Sequence, residues 1–310
     1  MNLSVICPSY NRASFLEECI APVMAVDDAE FVLVDDGSTD GTLELARALQ
    51  DQYGVDRIVV IPIGGNQGAQ IARNRGMEQA QGEYIIFCDS DDVLIASGVA
   101  ALEDALTQNL DLDYAYGKVA MTDDSLKPLE GVEPIGSAFE DTPIELAGYH
   151  WHTMGPLYRK SFLNKVGPWN PSLTGSQDWE YQARVKLAGG RGLFIDTLVG
   201  YWRQHEGGRV GALKFRPDYV RSVVTACDVI LSGARNAGKC DRSIQRRLAK
   251  KLIIHALESG AHGDLPLRQH CLHHAATAVL GDPSFSLVIN GIQLTPSWFD
   301  GMIWNRLVAK

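Results

Sequence analysis

The chain has 310 residues, of which 45% are apolar, enough for one large α/β domain with an appendage or for two domains. A formal charge of −10 and a pI of about 5.3, without a long basic tract, argue against a protein that grips nucleic-acid backbone or anionic lipid through its overall charge. No apolar run approaches the roughly 20 residues that span a bilayer.

In chain order, Leu3–Cys7 is an apolar β-run with no basic-then-apolar leader before it. A helical pattern covers about Ser14 to Met24, then come a strand at Phe31–Val34, a helix from Asp40-Gly41-Thr42 to about Tyr53 and a strand at Arg57–Ile61. A helix from about Gly68 to Ala80, a strand at Tyr84–Cys88 and a helix from about Ala96 to Gln108 complete the alternation. Short apolar strands separated by helices predict βαβ units and a mainly parallel sheet. Beyond them, Tyr114–Met121 is a predicted strand and 122–136, rich in Asp, Pro and Gly, a loop or hairpin. Met154–Tyr158 is a short strand, Ser161–Val166 a helical turn, Ser176–Leu187 a helix, and Leu193–Ile195 and Val199–Trp202 short strands leading to His205. After about Lys214 the pattern turns helical: Arg216–Ala237, Asp241–Gly260, Leu265–Leu280 and Pro296–Val308. The predicted division is 1–213, in halves 1–120 and 121–213, and a helical appendage, 214–310.

Every early strand ends in a polar signature: Pro8-Ser9-Tyr10-Asn11-Arg12, Asp35-Asp36-Gly37-Ser38, Gly64-Gly65-Asn66-Gln67-Gly68 and Asp89-Ser90-Asp91-Asp92. Ligands of such sheets bind beyond the carboxyl ends of the strands, so four segments point at one crevice. Three carboxylates within four residues at the end of a buried strand repel one another and resist leaving water. A divalent cation resolves that conflict, and hard cations held by one or two carboxylates complete their shell with water and phosphate oxygens. The plain alternative is an acidic loop that caps the next helix. The six cysteines show no Cys-x-x-Cys spacing; Cys7, Cys19 and Cys88 fall in apolar stretches as core thiols, which fits a reducing cytoplasm.

Taken together, Val5–Arg12, Val34–Thr42, Asn66-x-Gly68, Ala72-Arg73-Asn74-x-Gly76, Gly82–Asp92 and Gln177-Asp178-Trp179-Glu180 follow one another in an order that resembles the family 2 glycosyltransferases of the GT-A fold. The resemblance covers about residues 1–205 and leaves the helical tail outside. It implies an α/β Rossmann-like fold and an enzyme that moves a sugar from a nucleotide-diphosphate donor, a UDP sugar by preference, to an acceptor hydroxyl with Mn²⁺ or Mg²⁺. It also implies glycan or polysaccharide biosynthesis, with a glycan or lipid-linked acceptor.

Residue by residue, the resemblance places Pro8, Ser9, Tyr10 and Arg12 at the floor of the base pocket and Asp36 on the base imide. It puts Gly68 and Arg73 near the donor, Asp89 with Ser90 at the sugar side, and Asp91 or Asp92 with His205 at the metal. The family's catalytic base corresponds to Asp178, and Gln177 stands where the family usually has Glu. A single base without a second nucleophilic carboxylate implies one displacement and therefore inversion at the anomeric carbon.

Several residues keep a plainer reading. Asp40 caps its helix, and Asp36 can serve only its turn. Arg73 can be a solvated helix residue, Asp178 can cap its helix, and Trp179 and Trp202 can be core. His150-Trp151-His152 is a weak acceptor-side candidate. His270-x-x-His273-His274 has helical metal spacing without a supporting acidic or thiol cluster. Arg242, Arg246, Arg247, Lys250 and Lys251 form a basic helical face, either solvated or set against a phosphate or an anionic membrane surface. The partners expected are a nucleotide sugar and an acceptor, with no nucleic acid and no membrane span. Peripheral membrane contact and a homo-oligomer through the tail stay open, at a cytoplasmic location or the inner membrane face. The competing functions are a sugar nucleotidyltransferase, which the absence of a Gly-rich basic phosphate loop at the N-terminus disfavours, and a nucleotide-sugar sensor or scaffold.

Overall fold

The computed structural model describes residues 2–139, 142–205, 215–293, 295 and 300. They form, in order, β1 (Leu3–Ser9), α1 (Ala13–Met24), β2 (Ala29–Asp35), α2 (Thr42–Tyr53), β3 (Ile58–Pro62), α3 (Ala69–Gln79), β4 (Tyr84–Phe87), β5 (Val93–Leu94), α4 (Ala96–Gln108) and β6 (Tyr114–Thr122). There follow α5 (Pro143–Leu146), β7 (Pro156–Arg159), α6 (Lys160–Val166), α7 (Gln177–Leu187), β8 (Gly192–Arg203), α8 (Pro217–Asn236), α9 (Arg242–Ala261), α10 (Leu265–Ala278) and α11 (Pro283–Gln293).

The strands make one sheet in the order β3-β2-β1-β4-β7-β6-β8-β5. β3, β2, β1 and β4 run parallel, as their βαβ spacing predicts, and β6 is parallel to β8. β7 is antiparallel to both β4 and β6, and β5 antiparallel to β8. The two strands predicted on either side of residues 196–198 are one continuous β8, bent at its irregular register against β6. The segment after β6 folds back as a hairpin, bridging Thr122 to Pro128 and Val119 to Ile135.

The chain divides into two compact units. Among the described residues, one gathers 2–139, 150–171 and 189–205, and the other 142–149, 172–188 and 215 onward. This differs from the boundary placed after residue 213, because α7 belongs with the C-terminal helices. Its apolar face, Trp179 and Ala183, is buried with Val220, Val223 and Ile230 of α8 and Leu248 of α9. A short helix pattern cannot say which layer its stripe will meet. In the first unit the core is the sheet packed on α1, α2 and α4, with Val5, Phe31, Leu33, Ile86, Leu102 and Leu106 at or near zero exposure. The helix α11 was absent from the sequence-based expectation, and the predicted Pro296–Val308 helix lies outside the described residues apart from Asp300.

Candidate active site

The carboxyl ends of β2, β1 and β4 lie side by side in the sheet, and Ser9 is paired in register with Asp35. The two turns that leave β1 and β2 are sewn together. Asn11 takes a left-handed backbone (φ 53°), its N–H donates to Ser38 Oγ (2.9 Å), and its side-chain oxygen accepts from Thr39 N (2.8 Å). Asp40 accepts from Thr42 N and Ala13 N (both 3.1 Å), so it serves the start of both α1 and α2.

Asp36, assigned to the base imide from the sequence, carries a structural task here. Its two carboxylate oxygens accept the amides of Gln67 and Gly68 (2.7 Å each) and hold the glycine loop against the end of β2. Gly37 allows this approach: it sits at φ +87°, and a Cβ there would stand 2.7 Å from Gly65 N. Beside it, Asp35 Oδ1 and Ser9 Oγ are buried without a hydrogen-bond partner. Asp35 was not singled out from sequence, although the Asp-Asp doublet contained the signal. Pro8 is buried in β1, Tyr10 is 39% exposed just past its end, and Ser90 is buried in the acidic turn.

At the end of β4 the acidic turn divides its three carboxylates among three tasks. Asp89 Oδ1 meets Arg73 Nη2 at 2.6 Å, and the Arg73 guanidinium stacks on Trp169 at 4.6 Å. Burial opposes ionisation of Asp89, but the positive fields of Arg73, His152 and Arg12 outweigh it and leave its pKa below the ordinary carboxylate value. Asp91 Oδ2 is shared by Arg12 Nε (3.1 Å) and His205 Nε2 (2.9 Å), with the His205 ring 4.9 Å from Phe15. Asp92 is 1% exposed and accepts Arg203 N at 3.0 Å, fastening the turn to β8. Burial first, then Asp91 and Asp89, push the Asp92 pKa well up. Of the two metal candidates, Asp91 is 21% exposed and is shared by Arg12 and His205, whereas Asp92 is buried against the backbone of β8. Beneath them Cys19 and Cys88 approach to 4.0 Å, and Cys19 donates to Asp89 O (3.7 Å).

The acidic turn thus has two arginines, Arg12 and Arg73, and the imidazole of His205 around it. Sequence reasoning expected a cation and pyrophosphate to make the turn tolerable; here arginines share that task. Among the described residues no three His, Cys, Asp or Glu side chains form a ready metal cage. Asp91 and His205 nevertheless present a hard carboxylate oxygen and an imidazole nitrogen 2.9 Å apart, a donor pair that suits Mn²⁺ or Mg²⁺ once water and phosphate oxygens complete the shell. Arg73, left between donor contact and solvated helix residue, is 4% exposed. His152 is also buried, its ring 4.9 Å from Trp202.

The second unit carries Asp178 in the first turn of α7, behind Ser176 in a left-handed conformation (φ 55°). Its Oδ2 accepts the Tyr149 hydroxyl at 3.0 Å and its Oδ1 the Trp179 amide at 2.9 Å. The segment bearing Tyr149 hangs from α7. Trp179 Nε1 donates to Ala147 O (2.9 Å), and Lys186 Nζ donates to Glu145 O (2.9 Å) and Gly148 O (2.8 Å). Burial lowers the Lys186 pKa to about 7. Gln177 Nε2 donates to Leu173 O (3.0 Å). Tyr149 was not foreseen, because nothing local links it to Asp178, 29 residues away. Lys251, counted in a basic face, instead lies over the Trp179 ring at 4.6 Å. His274 of the histidine cluster pairs with Asp228 at 2.8 Å.

Residues 4–143 match the model of the family described as glycosyl transferase family 2. Over 93 residues the chain is 43% identical to a Bacillus subtilis (strain 168) glycosyltransferase named for teichuronic acid biosynthesis, TuaG; that segment is 29% of this chain and 36% of the relative. In three dimensions it is similar to Staphylococcus aureus TarS residues 1–349 in complex with UDP-GlcNAc, with a TM-score of 0.66 and 20% identity over 90% of this chain and 82% of that one. It is also similar to the mannosyltransferase PcManGT of Pyrobaculum calidifontis in complex with GDP-Man and Mn²⁺, with a TM-score of 0.54 and 17% identity over 99% of this chain and 85% of that one. With the strand-end signatures falling inside the matched residues, residues 4–143 are similar to the family 2 glycosyltransferases, and the chain shares the α/β fold of the solved glycosyltransferases TarS and PcManGT.

Proposed function

We propose that the chain transfers a sugar from a UDP-sugar donor to a hydroxyl of a cell-surface glycan precursor, with inversion and with help from a divalent cation. The observation that carries this reading is the division of labour in the acidic turn. Asp89 is held by the buried Arg73 and Asp92 by a backbone amide, while Asp91 stands between Arg12 and the His205 imidazole. Teichuronic acid in the name of one relative and UDP-GlcNAc in the TarS complex support the glycan class and the donor. Mn²⁺ in the PcManGT complex supports the cation.

In this reading the ends of β1 and β2 receive the nucleotide, and the unpartnered Asp35 Oδ1 and Ser9 Oγ await polar groups of the base or ribose. Asp91 and His205 would hold the cation, which when bound offsets charge on the diphosphate leaving group. Arg12 and Arg73 supply fixed positive charge to the same corner and keep Asp89 and Asp91 oriented without reorganisation. Asp178 accepts the proton of the attacking hydroxyl as the new glycosidic bond forms. Tyr149 holds one oxygen of that carboxylate and so presents it in a single orientation.

The test is a thermal-shift and turnover panel of UDP sugars with and without Mn²⁺. A ligand that binds only the native state at about 100 Kd adds about 2.7 kcal/mol to its stability. A donor is expected to raise Tm with Mn²⁺, and release of UDP from it is expected to require the cation. Asp91→Ala and His205→Ala are expected to lose the Mn²⁺ dependence. Donor binding without turnover under any cation would replace the transferase with a sensor.

A further inference from the structure

We infer that the outer face of α11, together with the basic row at the start of α9, is a docking surface for an anionic lipid bilayer. α11 is apolar on two sides. Phe285, Ile289 and Ile292 turn inward against the helical core, with Ile289 fully buried. Leu287, facing away from Ile289, is 73% exposed, Val288 on the flank beside Ile292 is 51% exposed, and Leu280, three residues before the helix, is 81% exposed. A lone exposed leucine is ordinary, whereas three large apolar side chains within nine residues, with no charged residue in α11, form a patch.

Beyond the exposed N-cap Asp241, the charge along the start of α9 is positive. From Arg242 to Leu257, α9 has five basic residues and no acidic one, in a chain whose net charge is −10. Of these, Arg242, Arg246, Arg247 and Lys250 are exposed. The two features are joined physically. Arg246 Nε pairs with Asp282 at 2.7 Å, and its guanidinium lies 5.7 Å over Phe285. Arg246 is matched by the buried Asp282 at this junction, which leaves Arg242, Arg247 and Lys250 as the exposed cations of the row.

An uncharged apolar helix face flanked by arginine and lysine is the pattern of an interfacial element: the apolar side chains enter the acyl boundary while the cations meet headgroup phosphates. A second copy of the chain fits less well. A two-fold contact centred on this patch would set the basic row near its own mate, and the few exposed apolar side chains fall far short of the roughly 800 Å² per partner of a standard interface. The inference concerns binding alone and does not depend on the transferase reading.

Sedimentation of the full chain with sucrose-loaded vesicles tests it, comparing phosphatidylcholine alone with an equal mixture of phosphatidylcholine and phosphatidylglycerol. Binding to the mixed vesicles is expected to exceed binding to the neutral ones by about tenfold or more and to fall as salt is raised. Leu287→Ser with Val288→Ser, and separately Arg242→Gln with Arg247→Gln and Lys250→Gln, are each expected to weaken it about tenfold or more at an unchanged circular dichroism spectrum. None of these residues belongs to the acidic turn or to α7, so donor-dependent thermal shift serves as the control for an intact first unit. Equal partition into both vesicle types, or surface variants that bind like wild type, would overturn the inference. So would a dimer in sedimentation equilibrium that Leu287→Ser dissolves.

Discussion

Asp178→Asn probes the chemistry while sparing the scaffold. Asparagine keeps the volume and an amide oxygen that can still accept the Tyr149 hydroxyl, now 3.0 Å from Oδ2, so the fold should lose only about 1 kcal/mol from a weakened hydrogen bond. Removal of the proton acceptor should instead lower kcat by about 10²–10⁴-fold, equivalent to about 2.7–5.4 kcal/mol of barrier. Donor Kd should not change, because Asp178 lies outside the strand-end signatures. Tyr149→Phe removes one partly exposed hydrogen bond to the same carboxylate, which at about 1.5 kcal/mol predicts a kcat loss of about tenfold. Since Tyr149 acts through Asp178, the same substitution made in the Asp178→Asn background should cost less than about threefold. The assay is steady-state UDP release with a saturating donor and acceptor, together with donor Kd by calorimetry. A folded Asp178→Asn protein with wild-type kcat would remove Asp178 from the role of base. A Tyr149→Phe loss of equal size in both backgrounds would show that Tyr149 does not work through it.

Arg73→Lys keeps the charge beside Asp89 but loses the guanidinium plane stacked on Trp169, and donor affinity is expected to weaken about fivefold to tenfold in calorimetry. Gly98→Ala should lower Tm markedly, by more than about 2 kcal/mol of stability, because a Cβ there would lie 2.0 Å from Leu198 O, an immovable backbone atom of β8. Lys186 gives a pH dependence with a definite sign. Its folded pKa of about 7 lies below that of the unfolded chain, so between these two values the unfolded state binds more protons and stability rises with pH. The limiting slope is about 1.4 kcal/mol per pH unit. Urea unfolding of wild type between neutral and mildly alkaline pH should show this rise, and Lys186→Met should abolish it.

The sequence by itself determined the alternation that builds the first unit and the placement of polar signatures at its strand ends. Buried parallel strands are read as short, nearly all-apolar runs, and Leu3–Ser9, Ala29–Asp35 and Tyr84–Phe87 are buried throughout. The polar signatures follow those runs directly, so their position at the strand ends was legible, as was the pairing of core with Cys7, Cys19 and Cys88. What tertiary structure decided was the direction and partner of each polar group. Three aspartates in four residues look alike in sequence, yet Asp89 meets an arginine from α3, Asp91 meets Arg12 and His205, and Asp92 is spent on the backbone of β8, 111 residues away. Likewise Asp36 accepts the amides of the glycine loop, and Tyr149 was brought to Asp178 by the way its segment hangs from α7. Local pattern reports whether a side chain is wanted by water or by a core. A hydrogen bond or ion pair between distant segments depends on where their backbones are carried, and that is set by the packing of whole elements.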